Sequence, residues 1–276
     1  MRVPIDDPDD PRVGDYLGLR DHQLRMRRER PGGDRAHLFV AEGDLVVDRA
    51  IRAGHRPKSL LVDGARTQPL PSSVPEEVPV YAAGPQVLQR ITGYHLHRGV
   101  LAVFHRAPER ESASVLAGAR SAVVLENVVN PTNLGVIIRS AAGLGIDAVL
   151  LDPTSADPLY RRASRVAMGE VFSLPWARLP AFPRGLDVVR RAGFTLLALT
   201  PAADAVAVDE LVLPAGCRPA LLLGAEGAGL PDETMGAADL RVRIPMSREV
   251  DSLNVGAAAA VAMWAVLHAR HHHPSS

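Results

Sequence analysis

The chain has one cysteine, Cys217, and one lysine, Lys58, among 276 residues. A single thiol leaves no intrachain disulfide framework and no cysteine-rich metal site, so Cys217 reads as a small buried hydrophobe. Aromatic residues are only 4% of the chain, so a core must be built from Val, Leu, Ile and Ala. Formal net charge is zero, which argues neither for nor against a nucleic-acid partner. No apolar run is long enough to span a membrane; the helix expected after Asn254 comes nearest and is too short and too alanine-rich. The acidic start (Asp6, Asp7, Asp9, Asp10) lacks a basic stretch followed by an apolar one, so no export signal is visible and a cytoplasmic address is expected. Zinc-type spacing, a Gly-x-x-x-x-Gly-Lys loop and Gly-x-Ser-x-Gly are all missing. Ala142-Gly143-Leu144-Gly145 ends a helix where a dinucleotide loop would open one. His271, His272 and His273 read as a frayed tail, and no metal is expected.

What remains is an apolar and regular chain. Hydrophobic residues are 47%, enough for a substantial core, and 276 residues allow one large domain or two ordinary ones. Residues 1–36 form an N-terminal extension, with a helix expected from Asp15 to Arg30 and Pro31-Gly32-Gly33 ending it. Its arginines (Arg20, Arg25, Arg27, Arg28, Arg30) read as a solvated face or an RNA contact. Residues 37–106 alternate as a small α/β domain: strands at His37–Val40, Leu60–Val62, Val78–Tyr81 and Gly99–Phe104, with helices at Glu42–Ala53 and Pro85–Ile91. Residues 107–120 read as a linker.

A second α/β series fills 121–270, and 271–276 are tail. Strands are expected at Val123–Leu125, Ala148–Leu151, Val171–Leu174, Thr195–Leu199, Leu221–Leu223 and Leu240–Ile244. Helices are expected at Leu134–Leu144, Pro158–Met168, Leu186–Ala192 and Val255–His268. Short continuous apolar strands between helices imply a mostly parallel sheet covered on both faces. Ligands of such sheets sit beyond the carboxyl ends of the strands.

Three polar segments fall there. Asn130-Pro131-Thr132-Asn133 reads as a turn in which Asn133 can cap the next helix. Arg139 lies two turns into an otherwise apolar helix, and a buried arginine is costly unless it is paired or faces a ligand. Leu223-Gly224-Ala225-Glu226-Gly227-Ala228-Gly229 permits close backbone approach, and Glu226 suits a cationic partner such as Arg139 or a sulfonium ligand. Ser252 and Asn254 stand at a helix entrance, where capping needs only one of them.

Together these segments resemble the SpoU family of RNA 2′-O-ribose methyltransferases, in the SPOUT class. The resemblance rests on Asn133-Leu134-Gly135-Val136-Ile137-Ile138-Arg139, on Leu223 to Gly229, and on Ile244-Pro245-Met246 with Ser252-Leu253-Asn254-Val255. It covers 121–270; a weaker likeness over 37–105 marks an RNA substrate-binding domain. The resemblance implies a deep trefoil knot in the C-terminal parallel-sheet domain, S-adenosylmethionine as cofactor, rRNA or tRNA as substrate, and a homodimer with active sites at its interface. By position, Thr200, Gly224, Gly229, Ile244, Met246 and Leu253 would hold the cofactor. Asn133, Arg139, Glu226, Ser252 and Asn254 would form the catalytic region, and Arg161, Arg162 and Arg165 would meet RNA phosphate. Arg139 is then either a base or an electrostatic clamp; a guanidinium pKa near ~13 makes the clamp physically easier. A catalytically silent RNA-binding protein and a base-directed methyltransferase remain open as alternatives.

Overall fold

The computed structural model describes residues 2–19, 33, 35–96, 99–247 and 252–269. The expected helix from Asp15 to Arg30 and its arginines fall largely outside them. The chain divides into two compact units, Met1–Pro108 with Pro158–Ser173, and Glu109–Asp157 with Leu174–Ser276.

The N-terminal unit is built on strands β1 (Arg2–Ile5), β2 (Leu38–Glu42), β3 (Pro57–Asp63), β4 (Val80–Ala83) and β5 (Val100–His105), with helices α1 (Asp44–Arg52) and α2 (Pro85–Thr92). The sheet order is β1-β4-β3-β5-β2; β1, β4 and β3 are parallel and β5 runs antiparallel to β3 and β2. Residues 2–19 are therefore part of this unit and not an extension. Ile5, Val13, Tyr16 and Leu19 are buried in one cluster with Leu61, Leu88 and Leu101. The buried Tyr16 hydroxyl meets Ser59 Oγ at 2.8 Å, which supplies the partner that a phenol removed from water needs.

Pro158–Ser173 comes from the middle of the second α/β series, yet it belongs to the N-terminal unit. Its helix α5 (Arg161–Val166) is shorter than the expected Pro158–Met168. The run expected as a strand at Val171–Leu174 is a 3-10 turn, Glu170–Phe172. Phe172 is buried against Phe39 and His55, with ring centroids 5.8 and 5.2 Å away, so aromatic packing and not sheet pairing accounts for its apolar character.

The C-terminal unit holds β6 (Ala122–Leu125), β7 (Ala148–Leu151), β8 (Trp176–Arg178), β9 (Thr195–Leu199), β10 (Val206–Ala207), β11 (Pro219–Leu223) and β12 (Leu240–Arg243). These form a parallel sheet in the order β10-β12-β9-β11-β6-β7-β8. Every residue of β6, β7 and β11 is buried, the signature of parallel strands covered on both faces. Helices α4 (Pro131–Leu144), α6 (Arg184–Arg191), α7 (Asp232–Ala237) and α8 (Val255–Ala269) belong to this unit. So does α3 (Ser112–Ala117), a helix within the stretch expected as linker; its Val115 and Leu116 join the core with Val124, Leu150 and Leu186.

Candidate active site

The strand order makes β6 and β11 neighbours, although the chain leaves them toward opposite edges of the sheet. Such a switch point opens a crevice beyond the strand ends. Into it come the loop after β6, the loop after β11 and the segment before α8.

Asn130 and not Asn133 caps α4: its Oδ1 accepts from the Thr132 N–H at 2.9 Å. Pro131, the first helical residue, needs no N–H partner there. Asn133 thus lies inside the first turn, 7% exposed, and its Nδ2 donates to Glu226 Oε2 at 2.8 Å. Asn254 Nδ2 donates to Glu226 Oε1 at 2.9 Å and to Asn133 Oδ1 at 3.1 Å. The Asn254 Oδ1 is used as well, accepting from the Gly256 and Ala257 N–H groups at 3.0 and 3.3 Å. Asn254 therefore caps α8 and holds the carboxylate together. Ser252 is exposed beside it.

The loop that carries Glu226 is closed by two backbone hydrogen bonds between Ala225 and Gly229, 3.1 and 2.9 Å long. A Cβ on Gly224 would lie 2.2 Å from the Gly229 carbonyl carbon, so no other residue fits this loop. A cavity of about 620 Å3 lies against it, within the range of small-ligand sites. Thr200, Gly224, Gly229, Ile244, Met246 and Leu253 all line it, as do Glu226, Ser252 and Asn254. Leu230 and Met235 also contribute apolar wall. They come from a turn and a short helix whose spacing carries no ligand signal, and sequence reasoning missed them.

Arg139 departs from expectation. It is exposed, and among the described residues its side chain has no hydrogen bond or ion pair. Six residues separate it from Asn133, which on an α-helix is about 120° of rotation away. Glu226 is held by two asparagines, and no contact with Arg139 replaces them. Arg161, Arg162 and Arg165 belong to the N-terminal unit. Arg161 is 9% exposed and paired with Glu42, so it is not a surface phosphate ligand. Arg162 and Arg165 are exposed.

Burial pushes the Glu126 carboxyl above its ordinary range, with Asp152 and Glu233 adding to the rise and the Thr234 hydroxyl opposing it. Burial also acts upward on Asp152, but donors from Ser155, Thr154 and Asn127 outweigh it and hold that group low. Among the described residues no His, Cys, Asp and Glu group is arranged to hold a metal ion, and no helix is long and apolar enough to cross a membrane.

An all-parallel sheet with a polar cluster and a ligand-sized cavity at its switch point defines a ligand-binding α/β domain. The profile of the SpoU rRNA Methylase family matches residues 120–264, more than half of the chain, and the chain belongs to that family. It is 44% identical to an uncharacterised tRNA/rRNA methyltransferase of Mycobacterium bovis over 96% of this chain and 92% of that one. It is 29% identical to the 23S rRNA (guanosine(2553)-2′-O)-methyltransferase RlmP of Bacillus subtilis over 88% of this chain and 92% of that one. Its fold matches the AdoMet-bound rRNA methyltransferase of Sinorhizobium meliloti with a TM-score of 0.79 and 27% identity, across 99% of both chains.

Proposed function

We infer that the chain is an S-adenosylmethionine-dependent methyltransferase that modifies a ribose 2′-hydroxyl of RNA, with rRNA or tRNA as substrate. The observation that carries this reading is the Asn133–Glu226–Asn254 cluster beside a cavity walled by a loop whose tight closure only a glycine at 224 permits. The cavity suits the cofactor: apolar Leu230, Met235, Ile244 and Met246 match an adenine, and Glu226 supplies negative charge for a sulfonium. Gly224, Gly229, Thr200 and Leu253 would complete its walls. When bound, S-adenosylmethionine supplies an electrophilic methyl group.

The chain's own residues orient and polarise. Asn133 and Asn254 fix the Glu226 carboxylate by donating to its two oxygens, which orients the cluster. Ser252, exposed at the cavity rim, can donate to or accept from a ribose hydroxyl. Arg139 acts as a clamp on phosphate and developing alkoxide charge, the role that suits a guanidinium that stays protonated.

Arg139, turned about 120° from Asn133 around α4, serves the site of a second copy in this reading. The groove lined by Ser140, Gly143, Leu144, Val261 and Trp264 is apolar, and Trp264 is 53% exposed. A second chain covering it places Arg139, next to Ser140, at the interface; a homodimer with shared active sites is part of this reading. So are the trefoil knot and a cytoplasmic address.

The test is incubation of the protein with isotopically labelled S-adenosylmethionine and bulk RNA lacking modifications, followed by digestion to nucleosides, with Arg139→Ala as control. A labelled 2′-O-methyl nucleoside made by wild type alone is expected. Label on a base atom rejects the ribose assignment, and cofactor binding without transfer to any RNA favours a silent RNA-binding protein.

A further inference from the structure

In the N-terminal unit two guanidiniums share one carboxylate. Glu42, the last residue of β2, is 7% exposed. Its Oε2 accepts from the Tyr94 hydroxyl at 3.2 Å and from Arg161 Nη1. Its Oε1 faces Arg165 Nη1 at 2.8 Å. Both terminal nitrogens of Arg161 are held: Nη2 donates to the Leu19 carbonyl at 3.1 Å, Nη1 donates to the Tyr94 oxygen at 3.2 Å, and the guanidinium lies 4.7 Å from the Tyr94 ring centre. Burial pushes the Tyr94 hydroxyl well above its ordinary range, so it remains a neutral donor.

Neutralising a buried carboxylate takes one cation, and Arg161 supplies it. The second cation is surplus: the trio carries one net positive charge, displayed on Arg165, whose side chain is 60% exposed. Glu42 and Arg161 form the buried base, and Arg165 is ion-paired to it through Nη1 while its side chain stays 60% exposed. An exposed arginine otherwise loses rotamer freedom when it meets a phosphate, and prior tethering removes part of that cost.

We propose that Glu42 is a positioning residue for RNA binding, holding the Arg165 guanidinium as a pre-set phosphate fork on the N-terminal unit. This rests on the reading of Arg165 as an RNA contact. Charge alone makes the opposite prediction, because removing a carboxylate beside a phosphate site should tighten RNA binding.

The test is filter binding of the full chain to an unmodified transcript of bacterial 23S rRNA across a salt series, for wild type, Arg165→Ala, Glu42→Gln, Glu42→Asp and Glu42→Gln/Arg165→Ala. Arg165→Ala should weaken binding and reduce the log–log salt slope by about one. Glu42→Gln should weaken it by about three- to tenfold, and the double variant should bind no worse than Arg165→Ala. Glu42→Asp keeps the charge opposite Arg161 but withdraws it by one methylene; it should weaken RNA binding at an unchanged melting temperature, and it decides the matter if Glu42→Gln melts early. Tighter or unchanged binding by the Glu42 variants, with Arg165→Ala still impaired, overturns the positioning role alone. Full additivity in the double variant does the same. An Arg165→Ala protein with unaltered affinity and salt slope overturns the RNA-contact reading, and the role of Glu42 falls with it.

Discussion

Asn254 spends both ends of one amide: its oxygen caps α8 and its nitrogen holds Glu226 and Asn133. The two uses separate by substitution. Serine also caps helices but has no NH2 to span the carboxylate and Asn133, so Asn254→Ser should keep stability within about 0.5 kcal/mol while Asn254→Ala loses about 1 kcal/mol. Both should lose methyl transfer by at least about tenfold, a cost of the order seen when one preorganised polar contact is removed. Thermal unfolding and single-turnover transfer measure the two effects side by side. Glu126 behaves differently, because its Oε2 is buried without a partner among the described residues. Its folded pKa lies above the ordinary 4.5, so the folded state keeps the proton to higher pH than the unfolded chain does. Stability from this group therefore falls as pH rises from about 4.5 through the folded value, and the deficit persists above it. Glu126→Gln should be more stable than wild type above that window and lose the advantage below it, as read from urea unfolding at a series of pH values.

At the scale of elements, the segment Pro158–Ser173 shows what local pattern can and cannot carry. Gly169 sits at φ +84°, and an added Cβ would meet Arg49 Cδ at 3.0 Å. Arg49 in turn donates to the Met168 carbonyl at 2.6 Å and pairs with Glu170 at 2.5 Å. Gly169→Ala should cost about 1–2 kcal/mol from left-handed strain, with hydrogen exchange accelerating first in this segment. Thr195–Leu199 was legible to the residue, because five apolar or β-branched positions between a glycine-ended helix and a turn have no competing reading. The three polar segments were legible as a group: each follows a strand of one parallel sheet, and that placement alone puts them on one side. Three kinds of feature were not legible. The α4 cap shifted from Asn133 to Asn130 because both are good caps and only the Pro131 position decides between them. Val171–Phe172 resembled a strand because its partners, Phe39 and His55, lie more than a hundred residues away in sequence. Arg139 looked buried because its sequence neighbours are apolar, whereas the helical rotation turns it outward.

On the scale of the whole molecule, the exposed Arg139 and the uncovered Trp264 groove pose one problem with one solution. A guanidinium proposed as a clamp, whose side chain has no partner among the described residues, and an apolar groove exposed on α8 are both satisfied by a twofold dimer. Trp264→Glu should then give a monomer by analytical ultracentrifugation that still binds S-adenosylmethionine in calorimetry, since Trp264 is not among the residues lining the cofactor cavity, but transfers little methyl. A complementation experiment is sharper. Arg139→Ala and Asn254→Ala proteins should each be nearly inactive alone. If each site joins Arg139 of one chain to Asn133, Glu226 and Asn254 of the other, one mixed dimer pairs both lesions in a single site and leaves its other site intact. After co-refolding in equal amounts, half the dimers are mixed, and activity should recover to about a quarter of wild type. If Arg139 serves the cluster of its own chain, each site in the mixed dimer carries one lesion and no activity returns.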